Sequence, residues 1–182
     1  MNLLASKAQL RASFLRWSLF LVPLIVLLGF LAGGLGSPNT LWFQNLVKPD
    51  IFPPPVWFGI VWTVLYVMIG LSLALVVSAW GAYGRGIAII AFALHFIGNL
   101  AWTPVFFGMQ DMVSALYVMV YVIVSLLAVI AIFWRVRKLA AVMLLPYLAW
   151  VIFAAVLNYQ FIQANPDGGA DMPDGAVERI EL

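Results

Sequence analysis

The stretch KPDIFPPPVWFGIVWTVLY, residues 48–66, places three consecutive prolines directly before a long apolar run. Proline fixes φ at about −65° and has no backbone N–H, so it is tolerated in the first turn of a helix but disrupts the interior. The stretch therefore predicts a rigid, extended segment that ends where a helix begins near residue 56. The apolar run continues to residue 79, which is long enough for a helix to cross a bilayer.

The composition of the whole chain indicates an integral membrane protein. Of the 182 residues, 65% are apolar and 9% are charged, and the mean hydropathy is +1.08. A soluble domain carries about 25% charged residues, so this chain has too few polar side chains to cover a surface that faces water. It has no cysteine and a single histidine, which excludes disulfides, thiolate chemistry and a His-rich metal site. The few basic residues do not suggest nucleic-acid binding.

Five segments of the chain have the roughly 20 mainly apolar residues that a membrane-crossing helix needs. They predict an all-α, five-helix transmembrane bundle over residues 17–162, with helices at about 17–36, 56–79, 86–107, 112–134 and 139–162. A basic segment, 1–16, precedes the bundle, and the loop 37–55 joins its first two helices.

The two ends of the chain have further interpretations. The tail 163–182 holds five acidic residues against one arginine and is rich in glycine and proline, which predicts a disordered, solvated segment. The first apolar run, preceded by the basic segment, could also be read as a secretory signal. Its length favours a retained transmembrane helix.

The basic residues predict an orientation. Seven of the nine Lys and Arg residues fall on one side of the predicted bundle, whereas Lys48 and Arg179 fall on the other. Cytoplasmic loops carry the excess of Lys and Arg. In a bacterial inner membrane the N-terminus would therefore be cytoplasmic, with the loop 37–55 and the acidic tail outside. The choice between inner and outer membrane stays open.

Three of the predicted helices each place aromatic rings near hydrogen-bonding groups on one side. The candidate site residues from these helices are Trp62 and Tyr66; His95, Asn99 and Trp102; and Tyr147, Trp150, Ala154 and Asn158. Their helical spacing puts each set within one stripe. Buried rings with a few polar groups suit a flat, mainly apolar ligand. For the histidine taken alone, hydrogen bonding between helices is the commoner use of such a residue.

At these residues the sequence resembles the TspO/MBR family, the tryptophan-rich sensory proteins related to the mitochondrial translocator protein (peripheral benzodiazepine receptor). Three motifs carry the resemblance, in family order and spacing: W-F-x-x-L-x-K-P…P-P…F-G-x-V-W-T-x-L-Y at 42–66, N-L-x-W-T-P-V-F-F-G at 99–108, and P-Y-L-x-W-V-x-F-A-x-x-L-N at 146–158. The resemblance covers about residues 17–162.

The resemblance implies a five-helix bundle that pairs as a homodimer in the lipid bilayer. It also implies a pocket for tetrapyrroles such as protoporphyrin IX and haem, and in many members for cholesterol or benzodiazepine-like compounds. On this reading Trp62 and Trp150 flank the ligand, and Trp42 and the segment 48–55 form a lid. Ala154 is similar to a small family residue that lets helices approach closely. The full predicted ligand-binding set is Trp42, Trp62, Tyr66, His95, Asn99, Trp102, Tyr147, Trp150, Ala154 and Asn158.

The sequence also departs from the family pattern. Ile51 stands where the family has tryptophan after K-P-x, and Ile60 stands where it has proline before V-W. The triple proline matches the family spacing only when shifted by one residue, so Trp57 has no clear equivalent. These departures predict a lid that packs differently. His95 stands where some relatives have glutamine, and a haem-iron contact is conceivable there. The sterol pattern expected after residues 157–159 lacks its basic residue.

The functional prediction is a sensor or carrier that binds tetrapyrroles, with no obligatory cofactor, metal or catalytic residue. Two alternatives stay open: light-dependent oxidative degradation of protoporphyrin IX, and binding or transport of sterols or other lipids. No acid–base pair or nucleophile–His–acid set lies in the predicted helices, so conventional catalysis is not indicated. A small-residue ridge of Gly70, Ala74 and Ser78 suggests close helix packing, more simply within the chain than between chains.

Overall fold

The computed structural model describes residues 7–36 and 38–169. Most of the predicted acidic tail, from residue 170 onward, lies outside the described residues, as do residues 1–6 and Ser37. Within the described ranges every regular element is helical.

Five helical spans are long and apolar enough to cross a membrane, which confirms the predicted all-α, five-span architecture. The helices are α1 (Lys7–Gly34), α2 (Leu41–Asn45), α3 (Pro55–Val77), α4 (Arg85–Thr103), α5 (Met112–Val136), α6 (Lys138–Met143) and α7 (Leu145–Ala164). Helix α4 continues as a π-helical turn over Pro104–Gly108, and α6 and α7 together form the fifth span.

The helix boundaries differ from the predicted ones where proline or capping chemistry intervenes. Helix α1 begins at Lys7, about ten residues before the predicted start at 17 and therefore within the predicted basic segment. The fifth span is broken at Leu144, just before Pro146, because a proline cannot donate the backbone hydrogen bond that would continue the helix. The predicted loop 37–55 contains a helix of its own, α2, whose N-cap is Thr40.

Glycines allow two close helix contacts. A Cβ added at Gly70 of α3 would lie 2.8 Å from the Cα of Val22 in α1, so the backbones of these helices touch. A Cβ at Gly98 of α4 would lie 2.3 Å from the ring of Tyr121 in α5, and the Tyr121 hydroxyl donates to the Leu94 carbonyl (2.9 Å). Gly70, in the small-residue ridge, thus packs inside the chain.

The up-and-down order of the spans separates the charges into two ends. The basic end comprises the start of α1, the α3–α4 turn and the α5–α6 junction, and it contains Arg11, Arg16, Arg85, Arg135, Arg137 and Lys138. The lid end comprises the α1–α3 connection, the α4–α5 turn and the end of α7. Every acidic residue that the structure describes, namely Asp50, Asp111 and Asp167, belongs to the lid end.

Candidate ligand-binding site

The lid, residues 38–54, is held in shape by its own capping contacts. The Thr40 hydroxyl accepts from the Phe43 N–H (3.3 Å) at the start of α2. At the other end of α2 the Lys48 ammonium donates to the carbonyls of Phe43, Gln44 and Leu46. It also lies 4.3 Å from the centre of the Phe43 ring. Partial burial lowers the pKa of Lys48 from its usual 10.5.

The end of α7 fastens the lid to the bundle. The Val47 N–H donates to Asn165 Oδ1 (2.8 Å), and Asn165 Nδ2 donates back to the Val47 carbonyl (3.0 Å). The Trp42 indole N–H donates to the Gly168 carbonyl (3.0 Å). Gly168 and Gly169 have φ values of 66° and 80°, which glycine adopts without strain. We call these contacts of Asn165 and Gly168 with the lid the latch.

A cluster of phenylalanines fills the space directly beneath the lid. The Phe43 ring lies 6.0 Å from Phe52, 6.4 Å from Phe106, 5.1 Å from Phe107 and 5.7 Å from Phe161. These centroid separations and their tilted or edge-on angles are those that aromatic pairs prefer. The lid therefore rests on an aromatic layer contributed by the π-helical turn and by α7.

Two adjoining cavities open beneath and beside this layer. The lid compartment has a volume of about 240 Å³, and the inner compartment, deeper between the helices, about 490 Å³. Seven residues line both compartments: Gly33, Pro38, Pro55, Phe58, Trp62, Trp102 and Thr103. Because small-molecule pockets have volumes of about 300–1,000 Å³, the two compartments together are large enough for a small-molecule ligand.

Indole rings form two walls of the cavity. On α3, Trp62 stacks on Tyr66, with centroids 5.2 Å apart and planes at 30°. On α4, Trp102 stacks on Phe106 of the π-helical turn at 5.0 Å. The Trp102 N–H donates to Asn158 Oδ1 (3.1 Å), and Asn158 Nδ2 donates to the Met112 carbonyl (2.9 Å). The Asn158 amide thus fixes the orientation of Trp102.

One polar atom of the cavity wall is unpaired. Asn99 lines the inner compartment, and its Oδ1 is buried without a hydrogen-bond partner among the described residues. Leaving a buried acceptor unsatisfied costs about 1–3 kcal/mol. A ligand that donates a hydrogen bond to Asn99 Oδ1 would therefore offset this cost on binding.

His95 and Tyr147 lie behind the cavity wall rather than on it. The Ser125 hydroxyl donates to the Val122 carbonyl (3.2 Å), so its oxygen accepts from His95 Nδ1–H (2.8 Å). The other ring nitrogen, Nε2, then accepts from the Tyr147 hydroxyl (3.1 Å). With both nitrogens engaged and only 1% of its surface exposed, the imidazole links α4, α5 and α7. This arrangement matches the hydrogen-bonding alternative and offers no free nitrogen for an iron contact.

The remaining predicted site residues fall in three places. Ala154 and Asn158 line the lid compartment. Trp150 packs against Phe58, a residue of the cavity wall, at 5.8 Å, and its buried indole N–H has no partner in the part of the chain that the structure describes. Trp42 belongs to the latch, 5.7 Å from Phe106, and does not face either compartment. Among the described residues, no group of three or more His, Cys, Asp or Glu side chains could hold a metal ion.

Comparison with known proteins identifies the relatives of this bundle. The sequence profile of the TspO/MBR family matches residues 21–163. The chain belongs to the TspO/MBR family. It is 37% identical to the tryptophan-rich protein TspO of Chlorobaculum tepidum, over 71% of this chain and 83% of that protein. It is 36% identical to the tryptophan-rich sensory protein of Cereibacter sphaeroides, over 82% of this chain and 92% of that protein. The human translocator protein is 34% identical to this chain, over 73% of this chain and 81% of that protein.

Family membership and the five spans together establish the broad class. The chain is a multi-pass integral membrane protein of the tryptophan-rich sensory and translocator group. Its natural surroundings are therefore a lipid bilayer.

Two of the departures from the TspO/MBR pattern, Ile51 and Ile60, lie away from the cavity together with Trp57, whereas Pro55 of the shifted triple proline lines it. The side chains of Ile51 and Ile60 are 40% and 49% exposed, and that of Trp57 is 52% exposed. None of the three lines either compartment. At this segment the cavity wall is formed by Phe52, Pro55 and Phe58 instead.

Sequence reasoning missed the phenylalanine cluster and the glycine wall of α1. Gly33 lines both compartments, and a Cβ added there would meet nothing within 4 Å. A Cβ at Gly36 would lie 2.6 Å from Phe107 Cβ, so the chain just after α1 touches the π-helical turn. The doublet in PVFFG at 104–108 was a usable signal, since two adjacent large rings beside a proline break indicate a packed helix end.

Proposed function

We propose that the two compartments beneath the lid bind a tetrapyrrole, protoporphyrin IX or haem, and that the protein acts as a sensor or carrier of it. The observation that carries this proposal is a cavity walled by Trp62, Trp102 and Phe58, with the unpaired acceptor Asn99 Oδ1 inside it. Membership of the tryptophan-rich sensory group supports it.

The chemistry of the walls suits a flat macrocycle. Aromatic rings prefer offset-stacked or edge-on contacts, and a tetrapyrrole offers a broad π surface to Trp62 and Trp102. The inner N–H groups of protoporphyrin IX, or a protonated propionic acid, can donate to Asn99 Oδ1. Such a donor would satisfy the amide oxygen of the cavity wall that has no partner among the described residues.

Binding in this cavity is coupled to the lid. Phe43 and Phe52 belong to the lid and also line the lid compartment. A ligand that displaces them must shift the lid against the latch. A sensor can use this coupling to report occupancy, and a carrier can use it to control exchange with the surroundings.

The test is a titration of the protein in lipid nanodiscs with protoporphyrin IX in the dark, followed by Soret absorbance. We expect saturable binding that weakens in Trp62→Phe. The matched control is Trp134→Phe, because Trp134 lies near the basic end and lines neither compartment. Equal affinity in both variants, or no saturable binding in the wild type, would contradict the proposal.

Light-dependent oxidation of bound protoporphyrin IX by dioxygen is a second candidate activity. The observation that favours it is a row of oxidisable rings: Trp62 lies 5.2 Å from Tyr66 and 6.2 Å from Tyr147. Illumination of the saturated complex in air is expected to bleach the Soret band in the wild type and more slowly in Trp62→Phe. Unchanged spectra would exclude this oxidation, and the sensor or carrier function would then be the one that stands. Displacement of bound protoporphyrin IX by a sterol would instead favour the binding or transport of sterols or other lipids.

We also propose that the protein lies in a bacterial cell membrane with its basic end cytoplasmic, and that it forms a homodimer. The positive-inside tendency supports the orientation. The exposed apolar stripe of α4 (Ile87, Ile90, Leu94 and Ile97) offers a face for a second copy. Crosslinking in lipid that yields only monomer would contradict the dimer.

A further inference from the structure

A third cavity lies at the basic end, far from the lid. It has a volume of about 370 Å³ and is lined by Ser13, Arg16, Trp17, Phe20 and Trp80. It shares no lining residue with the lid compartment or the inner compartment. The walls come from the first turns of α1 and from the turn that follows α3, so this cavity is a separate site.

The charge around this cavity is strongly positive. Arg16 lines it directly. The guanidinium of Arg85 lies 4.2 Å from the centre of the Trp80 ring, and its Nε donates to the Val77 carbonyl (2.9 Å), which fixes a second positive charge behind the wall. The six described cationic side chains of the basic end have no described carboxylate at the same end. An anion is therefore the complementary occupant.

The cavity also opens where lipid is available. Phe20 and Trp80 are 59% and 65% exposed, and Arg16 directly precedes the apolar run of α1. Tryptophan and arginine at such a position lie at the level of lipid headgroups. Basic pockets between transmembrane helices are suited to anionic headgroups.

We propose that this cavity binds the headgroup of an anionic phospholipid from the surrounding leaflet. Arg16 pairs with the phosphate, the Ser13 hydroxyl donates to it, and Trp17 and Trp80 enclose the glycerol. The first acyl carbons follow Phe20 along α1. Three of the five lining residues are aromatic, which suits a lipid better than a soluble phosphate. This proposal goes beyond tetrapyrrole binding and does not depend on it.

The test is native mass spectrometry of the full chain released from detergent micelles that contain phosphatidylglycerol or phosphatidylcholine. We expect the wild type to retain one phosphatidylglycerol in preference to phosphatidylcholine. In Arg16→Gln this affinity should fall about fivefold, the effect expected for one basic residue at a lipid headgroup. The matched control is Arg135→Gln, which removes the same charge from the same end but not from the cavity. It should retain the lipid.

Three outcomes would overturn the proposal. One is a wild type that shows no preference for phosphatidylglycerol, a result that needs no variant. Another is an equal loss in Arg16→Gln and Arg135→Gln, which would mean diffuse attraction rather than a site. The third is displacement of the lipid by inorganic phosphate at equal concentration, which would assign the cavity to a soluble anion.

Discussion

Two asparagines of the cavity wall, Asn99 and Asn158, differ in what their amides bind. Both side-chain groups of Asn158 are used within the protein, by Trp102 and by the Met112 carbonyl. The carbonyl oxygen of Asn99 has no partner within residues 7–36 and 38–169. At the residue scale this difference separates a structural amide from one that is available to a ligand.

We therefore expect Asn99→Ala and Asn158→Ala to have contrasting effects. Asn99→Ala should weaken protoporphyrin IX binding about fivefold through the loss of one hydrogen bond, and should lower the unfolding temperature less than Asn158→Ala does. Asn158→Ala should lower the stability of the ligand-free protein by about 1 kcal/mol, because two bonds between helices are lost. Soret titration and thermal unfolding in detergent measure the two effects. Equal destabilisation by both substitutions would refute the distinction.

The contacts of individual side chains are also what the sequence predicts least well. The helical spacing predicts that Asn99 and His95 share one face of a helix, and both belong to the predicted ligand-binding set. The side chain of His95 is instead enclosed by Ser125 and Tyr147, which belong to two other helices. Such enclosure depends on how three helices are rotated against one another, and the period of a single helix does not fix that rotation.

At the scale of elements, the latch joins the lid to the end of α7. Asn165→Ala removes both hydrogen bonds to Val47. We expect bound protoporphyrin IX to dissociate roughly tenfold faster, since two bonds contribute about 1.4 kcal/mol in total. Stopped-flow transfer of the porphyrin to an acceptor measures this rate. The control is Gln163→Ala, an exposed position on the same helix, and a similar acceleration there would argue against the latch.

The N-cap of α5 gives a pH-dependent prediction. The Asp111 carboxylate accepts from the Ser114 N–H (2.8 Å), and its hydrogen bonds with Ser114 lower the pKa from the usual 3.8. Its contribution to stability is therefore complete above pH 3.8 and is lost as the pH falls through the folded-state value. Asp111→Asn keeps a cap that does not titrate there. The wild type should lose stability relative to this variant on acidification, as thermal unfolding at about pH 6 and about pH 3 would show. A difference independent of pH would contradict the prediction.

Most elements could be predicted because hydropathy and length alone identify a membrane span. The latch could not, since its partners lie far apart along the chain: Val47 and Asn165 are separated by 118 residues. The break at Leu144 was missed for another reason. Pro146 stands inside an unbroken apolar run, and hydropathy does not register the lost hydrogen bond.

At the scale of the whole molecule, the separation of charge between the two ends predicts the orientation. The chain has no cysteine, so a single introduced cysteine can be labelled with no competing thiol in the same chain. Tyr83 is 98% exposed at the basic end, and Asp50 is an exposed residue of the lid. In intact bacterial cells a membrane-impermeant maleimide should label Asp50→Cys at once and Tyr83→Cys only after permeabilisation. The reverse pattern would contradict a cytoplasmic basic end.

If the ligand binds in the space beneath the lid, filling that space with Gly33→Leu should abolish binding. Gly33 lines both compartments and has open space around the position of a Cβ, so a leucine there fills the cavity without displacing a neighbour at Cβ. The measurement is a dark Soret titration of Gly33→Leu with protoporphyrin IX, beside a thermal unfolding curve of the ligand-free variant. We expect the unfolding temperature to stay unchanged and saturable binding to be lost. A folded Gly33→Leu protein that binds protoporphyrin IX as tightly as the wild type would contradict it.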